Sequence, residues 1–290
     1  MPKLTDNKAN TILDAAAKAP TQWSIPDPDH PQYNLEGALA TLRAAEAKNS
    51  PAMLLLFPWA ITYASSHLAA LCASICSSAR VPITLHMDHA QTPEIVKQAA
   101  DLGLFHSIMV DMSHYEKDEN LRLTKELTEY CHERGIATEA EPGRINGGED
   151  GVIDTAELEG ILTDADEARR FVDTGIDWLA PAFGNVHGSY GERGVQLDYD
   201  RLESIDAAVG GDDGVRLVAH GTDPFDKDIY TKLMKAGITK VNINKVVNRK
   251  YMDLQKEGGY GLTELMEKGT ELMQKELEGL MDMLGSSGKA

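Results

Sequence analysis

The chain has 290 residues, with 46 Asp and Glu against 28 Lys and Arg, and a formal net charge of −18. Such acidity excludes the basic face needed to grip nucleic acid or an anionic bilayer, so neither partner is expected. The 42% of hydrophobic residues can fill a native core, yet no apolar run reaches the roughly 18 residues that span a membrane. Three cysteines are too few, and odd in number, for a disulfide framework, and no signal-peptide pattern follows Met1. A cytoplasmic protein is expected.

Taken in order, the chain alternates between two patterns. Short apolar runs begin weakly at 23–25 and recur at 51–57, 81–87, 105–112, 136–140, 177–183, 215–219 and 239–243. Consecutive apolar positions over four to eight residues predict strands buried on both faces. Between them, residues 35–47, 60–79, 94–102, 119–134, 164–174 and 227–236 space their apolar side chains as helices do. Gly103, Gly135, Gly175 and Gly237 stand just past four of these helices. Eight strands alternating with helices predict one α/β domain over 1–290, a closed (β/α)8 TIM barrel. Polar, Gly-rich stretches at 141–162 and 183–214 read as long loops after strands five and six. A helical extension at about 246–285 carries a stripe of Leu265, Met266, Leu272, Met273, Leu277, Leu280 and Met281, expected to pack on the barrel or on another subunit. Cys72 and Cys76 could be a soft metal pair, but no further Cys lies near them in sequence to complete it. They read as small apolar residues of a buried helix face.

The chemistry gathers at strand ends. His89, His187 and His220 fall at or just after the ends of three strands, Asp111 and His114 follow a fourth, and Glu141 a fifth. In a barrel these ends converge on one mouth. Imidazoles from three strands, with carboxylates beside them, predict a divalent-metal site with an open position. Asp88, next to His89, could transfer a proton to bound substrate. His86 reads as structural.

Six segments in order resemble the class II, metal-dependent fructose-bisphosphate and tagatose-bisphosphate aldolases. They are Leu85-His86-Met87-Asp88-His89, the run 108–114, Glu139-Ala-Glu141 with Gly147-Gly148-Glu149-Asp150-Gly151, Gly184-Asn-Val-His187-Gly188, His220-Gly221, and Asn242-Ile-Asn244. The resemblance implies a catalytic zinc on His89, His187 and His220. Asp111 and Glu141 would be alternate ligands, with room for a second divalent or a monovalent cation. It implies Asp88 and Glu149 as catalytic proton carriers, and substrate contacts from Gly188, Gly221, Thr222, Asp223, Asn242, Asn244 and Lys245. A sugar phosphate substrate and a homo-oligomer, dimer or tetramer, go with it.

The phosphate end departs from the family pattern. His220-Gly221-Thr222-Asp223-Pro224 replaces His-Gly-Gly-Ser-Gly, so a carboxylate stands in place of a hydroxyl donor and Pro224 removes an amide. Lys245 and Arg193 could take over phosphate binding, with Asp223 paired to Lys245. Alternatively the substrate is not the usual ketose bisphosphate, and both readings stay open. Other rivals are a metal-dependent barrel hydrolase, a metal-binding barrel without catalysis, and a Schiff-base aldolase using Lys240 or Lys245. The hydrolase's His-x-His on the first strand is absent.

Overall fold

A computed structural model describes residues 4–18, 25–27 (backbone only), 34–147, 160–211 and 214–290. Each apolar run from 51–57 onward forms a strand because Ile, Leu, Val and Met along it find cover on both faces. The main sheet holds β1 (Ile25–Asp27), β2 (Ala52–Leu56), β3 (Ile83–Ala90), β4 (Ser107–Val110), β5 (Ala137–Ala140), β7 (Trp178–Leu179), β9 (Arg216–Ala219) and β10 (Ile238–Asn242). Its order is β2-β3-β4-β5-β7-β9-β10-β1, every neighbouring pair parallel. Parallel neighbours require a crossover of a dozen or more residues, which is what the helices between them supply. A separate pair, β6 (Asn146–Gly147) with β8 (Val186–His187), joins the two long loops. The row curls until Cα atoms of β1 come within 8 Å of those of β2. Among the described residues no hydrogen-bonded ladder joins those two strands. The closed barrel expected from the sequence is therefore shown only as a curled parallel sheet.

The helices are α1 (Lys8–Ala17), α2 (Leu35–Lys48), α3 (Pro58–Ala64), α4 (His67–Ser78), α5 (Pro93–Asp101), α6 (Lys117–His132), α7 (Ala165–Val172), α8 (Tyr199–Val209), α9 (Lys227–Lys235), α10 (Lys245–Glu257) and α11 (Leu262–Met283). Three depart from expectation. The helix expected over 60–79 is two, bent by 119° where Ser65 takes φ 53°. The stretch 183–214, expected as loop, contains α8, capped by Asp198 and ended by Gly210 at φ 103°. Helix α1 was not expected at all. No single described helix is long and apolar enough to cross a membrane. The α11 stripe packs inside this chain, burying Met273, Leu277, Leu280 and Met281 in the main core and lying against α2 and α10. Cys72, Cys76 and Cys131 are buried free thiols, and burial pushes all three up to about 12.

Strand alternation divides the core in two. On β2, Leu54 and Leu56 face the helices, while Met53 and Leu55 face inward with Met109, Trp178 and Val218. Ala9, Ile12, Leu13 and Ala16 of α1 complete that inner cluster, so α1 plugs the end where the strands begin. Burying Ile12 and Leu13 contributes roughly 1.5–3 kcal/mol each. Polar groups at this floor are matched in pairs. Asp177 accepts from Leu4 N, Asn10 Nδ2, His132 Nε2 and Thr138 N, each at 2.8 Å. Trp178 Nε1 donates to Asn10 Oδ1 at 2.7 Å.

Candidate active site and metal centre

The opposite end of the sheet interior is polar. Three pairs spaced two apart, His86/Asp88 on β3, Glu139/Glu141 on and just after β5, and Lys240/Asn242 on β10, are all buried. Residues two apart on a strand share a face, so each pair points the same way. Asp88 and His89 are adjacent and should point apart. A bulge resolves this, because the β3–β4 register skips from Met87 to Ala90 and His89 sits at φ 44°, in the left-handed region. Such a bulge re-aims a side chain at a strand end, at a backbone cost of order 1–3 kcal/mol. Both groups thereby reach the mouth, with His89 Nε2 3.9 Å from Asp88 Oδ2.

His187 and His220 are brought in by close backbone approaches that need glycine. A Cβ on Gly147 would lie 2.0 Å from His187 O, and one on Gly221 2.4 Å from Val186 O, with both glycines at positive φ. Tyr190 Oη staples the same loops, donating to Gly221 O at 2.8 Å and accepting from Val186 N at 3.2 Å. Asn185 Nδ2 donates to His220 O.

The three imidazoles meet with ring centroids 5.0, 5.0 and 5.6 Å apart. His89 Nδ1 faces Asp111 Oδ2 at 2.7 Å, and His220 Nε2 faces Glu139 Oε1 at 2.8 Å. Each carboxylate favours a proton on the nitrogen it faces, so with any second proton shed His89 Nε2 and His220 Nδ1 would be the electron-pair donors. Those donors are 3.2 Å apart. Two ligands at about 2.0–2.1 Å on a tetrahedral ion stand about 3.3 Å apart, so the spacing fits. His187 Nε2 is buried without a hydrogen-bond partner among the described residues, a natural third ligand. His89, His187 and His220 could therefore hold one metal ion. His89, Asp111 and Glu141 form a second cluster within reach of a cation. Glu141 Oε1 accepts from Ile145 N while Oε2 is buried and has no hydrogen-bond partner among the described residues.

The electrostatics separate the carboxylates. Burial would raise Asp88, but the charges of His89 and His220, the His86 ring and Lys240 hold it well below the usual carboxylate range. Asp111 is likewise held low against burial, by His89 and by Ser113, whose N–H and hydroxyl donate to it. Glu141 goes the other way, raised well above its usual value by burial and the charge of Asp111. Burial lowers His89, but Asp88, Asp111 and Glu141 outweigh it and raise the ring well above its ordinary value. His187 is pushed well below its own by burial and by the other two rings.

At the phosphate end the structure corrects one expectation. Asp223 does not pair with Lys245. Its Oδ1 accepts Val246 N–H at 2.7 Å, capping α10, and its Oδ2 lies 3.8 Å from Arg249. Lys245 is exposed, as is Arg193. Gly221, Thr222, Asn242 and Asn244 are buried around this corner, and Thr222 Oγ1 donates to Asn242 O. Gly188 follows β8 at φ 90°. Glu149, with Gly148 and Gly151, lies outside the described residues. His114 does not reach the histidine trio. It packs against Tyr115, with ring centroids 4.3 Å apart. Glu139 and the place of Lys240 were missed from sequence, although their spacing of two from Glu141 and Asn242 was the available signal. Lys240 Nζ is committed to Glu139 and Asn242, unlike the nucleophile of a Schiff-base enzyme.

Comparison with known proteins agrees with this geometry. The family model described as fructose-bisphosphate aldolase class-II matches residues 8–289. A Coccidioides immitis protein, provisionally named a fructose-bisphosphate aldolase, is 57% identical over 100% of this chain and 97% of its own. The solved structure of an aldolase from that organism, also provisionally so described, superposes with a TM-score of 0.94 at 58% identity, covering 98% of both chains. The fructose-bisphosphate aldolase of Streptococcus pneumoniae is 34% identical over 89% of this chain and 91% of its own. The YdjI aldolase of Escherichia coli K12 superposes with a TM-score of 0.82 at 27% identity, covering 97% of this chain and 98% of its own. With a family match along nearly the whole chain, and relatives this similar over most of their length, the protein belongs to the class II fructose-bisphosphate aldolases, a family of metal-dependent lyases.

Proposed function

We propose that the protein is a zinc aldolase of the cytosol, cleaving fructose 1,6-bisphosphate to dihydroxyacetone phosphate and glyceraldehyde 3-phosphate, on a sheet that closes as a (β/α)8 barrel. The observation that carries this reading is the meeting of three imidazoles beside the buried carboxylate of Asp88. His89, His187 and His220 would hold the ion. When bound it supplies positive charge to the oxygen that becomes anionic as the C–C bond breaks. Asp88 takes the proton of the hydroxyl on the departing carbon, and the bond's electron pair passes into the former carbonyl as an enediolate. The carboxylate suits that task. Its pKa is held low, Asn242 Nδ2 donates to its Oδ2 at 3.1 Å, and its Oδ1 has only the His86 ring nearby, at 3.5 Å. Glu149 would return a proton to the enediolate carbon. Asp111 and Glu141 offer alternate ligands for a moving ion or a second cation. The working form is a homo-oligomer, to be read from its mass in solution.

A second reading concerns the substrate. In barrels of this kind, phosphate is commonly held by the last βα loops and a helix N-terminus. Here Asp223 fills that place at α10 with its own carboxylate. A phosphate close by would meet a like charge, costing about 4 kcal/mol at 4 Å and an effective dielectric near 20. A tagatose-type, monophosphate or unphosphorylated ketose would avoid this.

The deciding experiment assays zinc-loaded protein on fructose and tagatose bisphosphates, monophosphates and free ketoses, with and without EDTA. Efficient, EDTA-sensitive cleavage of fructose bisphosphate supports the first reading. Preference for another ketose supports the second. Cleavage that survives complete metal removal would overturn both.

A further inference from the structure

We propose that Lys240 is a positioning residue that sets both the metal-binding imidazole of His220 and the carboxylate of Asp88, an inference that rests on the aldolase reading above. Lys240 is wholly buried, and its Nζ donates to Glu139 Oε2 at 3.0 Å and to Asn242 Oδ1 at 2.7 Å. The Trp178 ring centroid lies 5.8 Å from it. A buried ion pair is a poor source of stability, since taking two charges out of water offsets most of their attraction. Its two branches show what it does instead.

The first branch runs through Glu139. With Oε2 fixed by Lys240, the carboxylate keeps Oε1 on His220 Nε2 at 2.8 Å. That contact favours the His220 proton on Nε2, which also lies 3.3 Å from Asn242 Nδ2, and so Nδ1, beside His89 Nε2, as the ligand atom. The second branch runs through Asn242. A side-chain amide can sit either way round, and its partners decide which. The ammonium takes the Asn242 oxygen, so the NH2 group must point at Asp88 Oδ2, 3.1 Å away. Flipped, the amide would put its oxygen against the Asp88 carboxylate and its NH2 against the ammonium. One cation on β10 thus orients a ligand from the end of β9 and a proton carrier on β3.

Two variants test this. Lys240→Met keeps similar volume but leaves Glu139 without its cation. Glu139→Gln with Lys240→Met removes both charges, so that no buried charge is orphaned and folding is preserved. Zinc affinity is read by chelator competition, and kcat at saturating zinc on whichever ketose the parent cleaves. Lys240→Met should weaken zinc binding roughly ten- to hundred-fold. Its kcat should fall roughly hundred-fold even when zinc is saturating, because Asn242 no longer holds Asp88. The double variant should recover thermal stability but remain at least about ten-fold down in kcat. A double variant with zinc affinity and kcat within about two-fold of the parent would show a merely structural pair and overturn the proposal. If the single variant does not fold, the double decides. If the parent cleaves no ketose, the aldolase reading fails, while the zinc competition still judges the branch through His220.

Discussion

The inner face of the sheet has two ends that are built from similar parts and behave oppositely. At the floor, the buried Asp177 carboxylate accepts four hydrogen bonds at 2.8 Å and a longer fifth from Thr138 Oγ1, and α1 seals the space with Ile12 and Leu13. Toward the mouth, Asp88, Glu139 and Glu141 are as deeply buried, yet Glu141 Oε2 and His187 Nε2 have no hydrogen-bond partner among the described residues, and Asp88 Oδ1 has only the His86 ring, 3.5 Å away. Leaving a buried polar atom unpaired costs about 1–3 kcal/mol, so several together would weaken a purely structural site. The difference separates the roles. Satisfied polar groups hold most of the floor together, Thr84 Oγ1 near the start of β3 being a buried exception, and unsatisfied ones at the mouth are open to an ion and a substrate.

That contrast can be broken experimentally, beginning where the effect is largest. Changing His89, His187 or His220 singly to Ala should remove metal and lower activity by about 10³-fold or more, with the fold kept. Metal analysis beside a rate assay checks this, and full occupancy in any one variant contradicts the site. Asp88→Ala should bind metal normally and lose roughly 10²–10⁴-fold in turnover. Glu149→Ala should lose a similar factor, but it alone should slow proton exchange on the ketone product when no aldehyde is present. At the floor, Asp177→Ala should lower unfolding stability by about 3 kcal/mol in urea, since its hydrogen-bond donors lose their acceptor, while kcat per folded molecule stays at the parent level. A catalytic defect there would erase the distinction between the ends.

The smallest effect is in pH. Because His89 is raised well above its ordinary value, its ring must shed a proton to ligate. Apparent zinc affinity should therefore climb about ten-fold per pH unit below that raised value and level off above it. Binding heats measured in two buffers would show the released proton. A flat affinity between pH 5 and about 7 would mean that the carboxylates around His89 do not hold its proton.

Much of this was legible in the sequence where the signal is local. Helix-ending glycines and consecutive apolar runs located all eight strands of the sheet, and three histidines at strand ends marked the metal cluster. What was missed depends on distant partners. Ala9, Ile12, Leu13 and Ala16 have helical spacing behind Asn7, but α1 is ten residues long and acquires its meaning only against Trp178 and Asp177. The break at Ser65 is a single backbone angle inside an Ala-rich run. Lys240 reads on paper as a candidate nucleophile. Only the register of β10 against β9, together with the bulge in β3, sets it beneath Asp88 and beside Glu139. Asp223 looked like a partner for Lys245 because the two are alike in departing from the family pattern, whereas geometry gives its carboxylate to the first turn of α10.

The plug formed by α1 also has a consequence in time. Its hydrogen-bonded partners at Asp177 and Trp178 lie 167 and 168 residues further along the chain from Asn10. At about 5–20 residues per second of synthesis, α1 would wait roughly 10–30 s before its floor exists. An isolated ten-residue helix is marginal in water, so during that interval the segment has little structure of its own and its apolar residues are uncovered. Docking of α1 is then a late, long-range event of the kind that slows folding. A chain halted before residue 177 should expose this segment to protease, and a chain extended past β10 should protect it.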